Sequence, residues 1–409
     1  MANHEPQIPI ELLECRGLGA ESLHEVDCLA CGRCGRANLV GKDELEAFTS
    51  RVLQAYGVSE EEALITVRVL VASDLRGIPS HGVARLGRYI AGLKAGYIKP
   101  GVEFEVVEPA PAIASIDAKD GIGQVVSEQA MDLAIAKARA NGLGLVTVRN
   151  SNHFGIAGYY AAKAVAADMI GICMTNAAPL VVPTYGTRAL LGTNPIAFGA
   201  PATGELDFLL DTATSVVPRG KLEVYDRNEK QMPVGWSIDE KGFDCQNPGR
   251  VLKNLLARVG GGILPLGGRG EEFGGHKGYG LAMMVDVLSG VLSGSAFGPD
   301  VNNLKREMPD GQVASPRVGH FFLAMDVGRF MAIDDFKDRM GDLIRLMKEG
   351  PKALGEEEIY VHGEKEQRSS EHAAEDGIPL ADNVFNSLLR IASEAKVEPP
   401  ACCPDARKG

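Results

Sequence analysis

The sequence predicts an α/β protein whose sheet is covered by helices on both faces, with helical portions before and after it. Three observations carry this class. Residues 42–96 have helical apolar periodicity. From about residue 105, short apolar runs of strand character alternate with amphipathic helices. The last ninety or so residues return to amphipathic helix and charged loop.

Bulk composition narrows the function classes. The 409 residues are 45% hydrophobic and 23% charged, enough to bury a large core and build two or three domains. Forty-two basic against 54 acidic side chains leave a formal charge of −12, which disfavours nucleic acid as partner. The most apolar window, "YGLAMMVDVLSGVLSG", is interrupted by Asp286 and too short for a bilayer, so no membrane association is expected. The start "MANHEPQIPIELLEC" lacks a basic region followed by an apolar core. Eight cysteines are too few for a secreted disulfide scaffold, and a cytoplasmic location is expected.

Residues 1–40 show no clear period and end in "CLACGRCG"; they are expected to form an appendage. A helical portion spans 41–110. In "KDELEAFTSRVLQAYG", Leu45, Phe48, Val52, Leu53 and Tyr56 share one stripe and Gly57 ends it. Ser59 with Glu62 is a capping box for "EEEALITVRVLVASDLRG". After a Ser-His-Gly turn, "VARLGRYIAGLKAG" reads as a third helix. The α/β core spans 111–330. "AIASIDA" and "GLGLVTVRN" read as strands flanking the helix "SEQAMDLAIAKARANG". The helix "AGYYAAKAVAAD" and the strand "MIGICMTN" follow, then short apolar segments punctuated by Pro and Gly. The helix "YGLAMMVDVLSGVLSG" and the strand "GHFFLAMDV" complete it. Residues 331–396 hold the helices "IDDFKDRMGDLIRLMKEG" and "ADNVFNSLLRIASEAK", expected to pack with the N-terminal helices. Between them, "EGPKALGEEEIYVHGEKEQRSSEH" reads as an exposed connector, and 397–409 is a tail.

Four constellations carry possible chemistry. In "IPSHGVARLGRY", a helix starting at Ser80 or Gly82 places His81, Arg85, Arg88 and Tyr89 near one face. A guanidinium grips a carboxylate through two parallel hydrogen bonds, and an imidazole exchanges protons near neutrality. The same stripe also reads as a solvated helix face. In "RNSNHFGIAGYY", Arg149, Asn150, Asn152 and His153 follow an apolar strand, where open α/β sheets place ligands. The plainer alternative is a loop whose side chains cap backbone groups.

The third constellation, "GGRGEEFGGHKGYG", is a glycine-rich loop leading into a helix. Its backbone N–H groups and Lys277 suit a phosphate or pyrophosphate, or the loop is a simple turn. It is neither a Walker loop nor a G-x-G-x-x-G fingerprint. The fourth comprises Cys28, Cys31 and Cys34 in C-x₂-C-x₂-C spacing with Cys15 upstream. Such thiolates hold zinc or an iron–sulfur cluster, although no proline-terminated fourth cysteine follows directly; free thiols in an extension are the alternative. No Gly-x-Ser-x-Gly elbow or His-Glu-x-x-His helix points to a hydrolase.

The segments "SDLRGIPSHGVARLGRYI", "GIGQVVSEQAMDLAIAKA", "RNSNHFGIAGYY", "GTNPIAFGAP", "LDTATSVVPRGK" and "GGHKGYGLAMMVDVLSG" together resemble the type-2 malate/L-lactate dehydrogenases. That family includes archaeal malate and sulfolactate dehydrogenases, ureidoglycolate dehydrogenase and 2,3-diketogulonate reductase. The likeness runs from about Lys42 to about Lys396. It implies a non-Rossmann, three-layer α/β/α fold with a mixed sheet. It further implies a homodimer using NAD or NADP, with the active site near the subunit contact.

The resemblance places catalytic roles on His81, Arg85, Tyr89 and His153, with Ser80 as a further hydroxyl. It places cofactor contacts on Asp211, Thr212, Ala213, Thr214 and Ser215, on His276 and Lys277, and on Gly363, Glu364 and Lys365. The extension carrying Cys15, Cys28, Cys31 and Cys34 has no family counterpart, and neither has "CCPDARKG". The implied activity is reversible hydride transfer between nicotinamide and a small 2-hydroxy or 2-oxo acid. Malate, lactate or sulfolactate is expected as substrate, with ureidoglycolate or a diketo sugar acid as the alternative. A non-catalytic metal-binding or docking subunit is the reading from another class.

Overall fold

The capping box at Ser59 forms as its spacing requires: the Glu62 N–H donates to Ser59 Oγ at 3.3 Å, and Ser59 Oγ–H donates back to Glu62 Oε2 at 3.1 Å. It opens the second of eleven α-helices among the described residues of a computed structural model, which describes 38–301 and 315–403. These helices are α1 (Lys42–Ala55), α2 (Glu60–Leu75), α3 (Leu86–Lys94), α4 (Gly123–Asn141), α5 (Ala157–Val165), α6 (Arg219–Arg227), α7 (Pro248–Ala257), α8 (Gly275–Asp286), α9 (Ile333–Lys348), α10 (Glu364–Asp376) and α11 (Asp382–Ala395). The strands are β1 (Asn38–Val40), β2 (Glu105–Ala110), β3 (Ile113–Asp117), β4 (Leu143–Ser151), β5 (Met169–Thr175), β6 (Ile196–Ala200), β7 (Phe208–Thr212), β8 (Ser237–Ile238), β9 (Gly262–Ile263), β10 (Val318–Asp326) and β11 (Ile378–Leu380).

A seven-stranded mixed sheet in the order β2-β3-β4-β10-β5-β6-β7 forms the centre. Only β3 and β4 run parallel; the other neighbours are antiparallel. Alternation along β10 divides two cores. Phe322 and Ala324 face α4 and α5 with Val146, Val148, Met131 and Tyr160, while Phe321 joins Met174 and Val285 of α8 on the opposite face. Helices therefore cover both faces, as expected. Close approach of α4 depends on Gly144: a Cβ there would lie 1.9 Å from the Ala134 carbonyl oxygen. Asp286, the acid inside the apolar helix, accepts from Asn176 Nδ2 at 2.9 Å and Gly298 N at 3.1 Å, which ties the end of α8 to the end of β5.

A separate helical layer is sealed by Leu45, Phe48, Leu70, Leu86, Tyr89 and Leu388. Here β1 pairs antiparallel with β11, so the first and last described segments meet.

Two expectations need correction. The third helix does not begin at Val83: Pro79–His81 and Val83–Arg85 are separate 3₁₀ turns, and α3 starts at Leu86. The break falls at Gly82, where a Cβ would lie 1.9 Å from Asp74 Oδ1, while the Val83 N–H donates to Asp74 Oδ2 at 2.8 Å. The connector is also not loop throughout. Its end forms α10, whose first turn carries Glu364 and Glu366 against the positive end of the helix dipole. No sequence signal had been assigned to β2, α6, α7, β8 or β9.

Candidate active site

The Gly82 break sets the site geometry. Ser73 Oγ donates to the Ile78 carbonyl at 2.7 Å, and Asp74 holds Val83, so the Ser80–His81 turn stands on the end of α2. Ser80 Oγ lies 2.9 Å from His81 Nδ1, and Arg85 Nε donates to the Ser80 carbonyl at 2.5 Å. From the other side, the loop after β4 delivers His153. Its ring stacks on His81 with centroids 5.5 Å apart and planes inclined by 20°. Tyr89, buried on α3, places its hydroxyl 2.7 Å from His153 Nδ1. Four of the five residues assigned catalytic roles are thus linked by direct contacts through His81 and His153, and Arg85 joins through the Ser80 backbone.

Hydrogen bonds fix the state of His153. The Gly155 N–H donates to its Nδ1 at 3.3 Å, so that nitrogen is an acceptor, the Tyr89 hydroxyl donates to it as well, and a neutral ring carries its proton on Nε2. Burial pushes Tyr89 up to about 12, which keeps it a donor. Burial is also the main cause that holds His153 well below the ordinary histidine value, reinforced by Arg88, His81 and Arg85. His81 is lowered to about 4 by burial, then by Arg85 and Arg88. Both imidazoles are therefore neutral at neutral pH.

Arg88 was visible in the stripe; two neighbours were not. Arg219 of α6 approaches Arg85 closely enough to lower its pKa, while Glu223, bonded to Arg219 at 2.8 Å, partly offsets the charge. Gln124, in the first turn of α4, is fully buried and turned toward the Tyr89 hydroxyl. Neither polar atom of its carboxamide completes a hydrogen bond of good geometry. A buried amide left so is costly unless a ligand completes it. The sequence signal that could have found it is its place at a helix start beside the Gly121–Gly123 turn.

Other residues of the second constellation are spent on the backbone and on Asp117. Arg149 Nε and Asn150 Nδ2 both donate to the Asp117 carboxylate at 3.0 Å, and Asn152 Nδ2 donates to the carbonyls of Tyr97, Asp120 and Gly121. Only His153 enters the site.

The residues assigned to the cofactor divide similarly. Asp211 lines an open cleft; the protein atoms around it raise its carboxyl to about 6, against the lowering effects of the Gly158 N–H and Arg76. Its Oδ2 accepts that N–H at 2.7 Å, on the first turn of the helix that follows His153. Thr212 donates to the Ala213 carbonyl, Thr214 to the carbonyls of Thr193 and Asn194, and Ser215 to Val217. The segment is a self-bonded turn beneath Asp211.

His276 and Lys277 are exposed on the first turn of α8, and Lys277 edges an open pocket of about 430 Å³ with Phe273 and Gly274. The expectation of free N–H groups there needs revision, because His276 N–H donates to Gly270 and Lys277 N–H to Gly274. Only the side chains remain available. Gly363 lines a second cavity of about 180 Å³ with Arg76, Asp207, Leu209 and Glu366. Glu364 turns away: it accepts from Val361 N at 2.9 Å and pairs with Lys348. Lys365 stacks over the Tyr360 ring at 4.4 Å. The motif cysteines Cys15, Cys28, Cys31 and Cys34 lie outside the described residues.

Comparison with known proteins agrees with this architecture. Residues 40–389 match the family model for malate/L-lactate dehydrogenase. The malate dehydrogenase of Pyrococcus abyssi is 46% identical over 359 residues, covering 88% of this chain and 95% of that protein. The L-sulfolactate dehydrogenase of Methanocaldococcus jannaschii is 39% identical over 343 residues, 84% of this chain and 93% of its own. Among solved structures, malate dehydrogenase from Pyrococcus horikoshii superposes with a TM-score of 0.80 at 42% identity, covering 89% of this chain and 99% of that one. Because the match takes in both the helical layer bearing His81 and the sheet bearing His153, this chain belongs to the malate/L-lactate dehydrogenase family of oxidoreductases.

Proposed function

We propose that the chain is an NAD- or NADP-dependent dehydrogenase of small 2-hydroxy acids, with malate or a comparably charged acid such as sulfolactate as substrate. The observation that carries this reading is the neutral His81–His153 pair set beside Arg85, Arg88 and Arg219. Three guanidiniums around one pocket favour an acid with two negative groups over lactate, which has one.

Residues present fit a nicotinamide dinucleotide. The unpartnered Gln124 amide suits a carboxamide, and Lys277, Asp211 and the Gly363 cavity offer a cation, a hydroxyl acceptor and an enclosed surface. When bound, the nicotinamide supplies or takes the hydride. Arg85 holds the substrate carboxylate and fixes the C2 carbon, so the reacting groups start oriented. His153 Nε2–H holds the C2 oxygen, because its Nδ1 is occupied by Tyr89 and Gly155. His81, with Nδ1 toward Ser80, exchanges the proton through Nε2: it accepts from the hydroxyl in oxidation and donates to the oxygen in reduction. Substrate anion neutralises nearby Arg charge and so raises the His81 pKa toward the working range.

The apolar stripe Leu281, Met284, Val287, Val291 and Leu292 is exposed along α8 and its π-helical continuation, which supports a homodimer. A panel of 2-oxo acids with NADH and NADPH, read by nicotinamide absorbance, tests the reading. Oxaloacetate or sulfopyruvate is expected to turn over fastest. Preference for a ureidoglycolate or diketo sugar acid, or no nicotinamide binding, contradicts it.

A further inference from the structure

We infer that the chain carries a [4Fe–4S] site, outside the dehydrogenase centre, built from Cys28, Cys31 and Cys34 at one end of the sequence and Cys403 at the other. This goes beyond the proposed dehydrogenase function and does not rest on it.

A cluster of this kind in bacterial ferredoxins takes three thiolates from a C-x₂-C-x₂-C run and a fourth from a remote cysteine followed by proline. The front run lacks that fourth residue nearby, but Cys403 is followed by Pro404. Sequence distance separates the two parts by more than 360 residues, and the fold cancels that distance. Strand β1 pairs with β11, Val40 bridges to Cys402, and the Cys403 N–H donates to the Leu39 carbonyl at 2.7 Å. Cys34 precedes Leu39 by five residues, so the chain can hold their Cα atoms no more than about 18 Å apart. A tether that short gives an effective concentration of order millimolar.

The surroundings of Cys403 admit a bulky inorganic group. Its thiol is half-buried and free of disulfide, with Cys402 exposed beside it. It faces two glycines, Gly41 and Gly377, whose missing side chains leave space around the sulfur: Cβ atoms there would lie 3.9 and 3.1 Å from Sγ. In the front run, glycine follows Cys31 and Cys34, and Arg33, Arg36 and, at the back, Arg407 and Lys408 supply positive charge for a cluster whose four thiolates leave it anionic. Cys15, further from the run, is not required.

Anaerobic purification of the full chain, followed by reconstitution with ferrous iron and sulfide, tests this directly. The expected result is roughly four iron and four acid-labile sulfide per chain, with thiolate-to-iron charge-transfer absorption. The Cys402→Ala/Cys403→Ala double variant and Cys31→Ala should each lose at least about tenfold of the iron with unchanged far-ultraviolet circular dichroism, and Cys15→Ala should retain it. Several outcomes overturn the site: no stoichiometric iron in the full chain, bound zinc without iron, a disulfide alone, or a double variant that holds iron as the parent does.

Discussion

The hydroxyl of Tyr89 lies 2.7 Å from Nδ1 of His153, joining α3 of the helical layer to the loop at the end of the central sheet. With the Gly155 N–H on the same nitrogen, this contact selects the Nε2–H form of the ring.

Tyr89→Phe removes one of the two donors that set that form. We expect kcat to fall about 5–10-fold, the worth of roughly one neutral hydrogen bond, with the melting temperature changed by only a few degrees. Unaltered kcat shows that the contact does not orient His153.

Arg85→Lys keeps the charge but replaces a planar fork with a point donor. Turnover on the dianionic acid should lose about 10–100-fold in kcat/KM, mostly through KM, with nicotinamide affinity unchanged. Equal loss of nicotinamide affinity removes Arg85 from the substrate side.

The depressed histidines predict a pH profile. His81, at about 4, is already a neutral base at neutral pH, so kcat/KM for oxidation should stay level from about pH 8 down to about pH 6 and fall well below that. An acid limb centred on the ordinary histidine value contradicts the burial and arginine effects assigned here.

Asp74 makes the opposite kind of prediction. Burial raises its carboxyl from 3.8 to about 7, over the lowering effect of the Val83 N–H. A raised native pKa adds stability below the unfolded value, and that stability is lost as pH climbs through the native one. Asp74→Asn keeps an acceptor for Val83 and cannot ionise. Compared with the parent, its melting temperature should gain about 2 °C or more between about pH 5 and about pH 8; a constant offset rejects the assignment.

Much of this organisation is legible in the sequence where one face of an element packs on one core. Leu45, Phe48 and Val52 mark α1, and alternation in "GHFFLAMDV" marks β10, because each stripe meets a single partner surface. Strands β8 and β9, at two residues each, are too short for any period, and α10 buries only Glu364 and Ala373, so its pattern reads as loop. The opening cluster is legible for a reason only half correct. His81, Arg85 and Tyr89 converge, but Asp74 and Gly82 turn the chain there, so no single helix presents them. Arg149 and Asn152 had the composition of a site and hold a loop instead. Gln124 and Arg219 come from elements distant in sequence, and only tertiary packing brings them in.

The most direct test compares kcat/KM for oxaloacetate reduction in the parent, His81→Ala and His153→Ala, with nicotinamide affinity measured alongside. Loss of roughly 10²–10⁴-fold in each variant, intact nicotinamide binding, and an acid limb abolished only in His81→Ala are expected. Turnover within about threefold of the parent in both variants would show that the stacked imidazoles neither hold the oxygen nor move its proton.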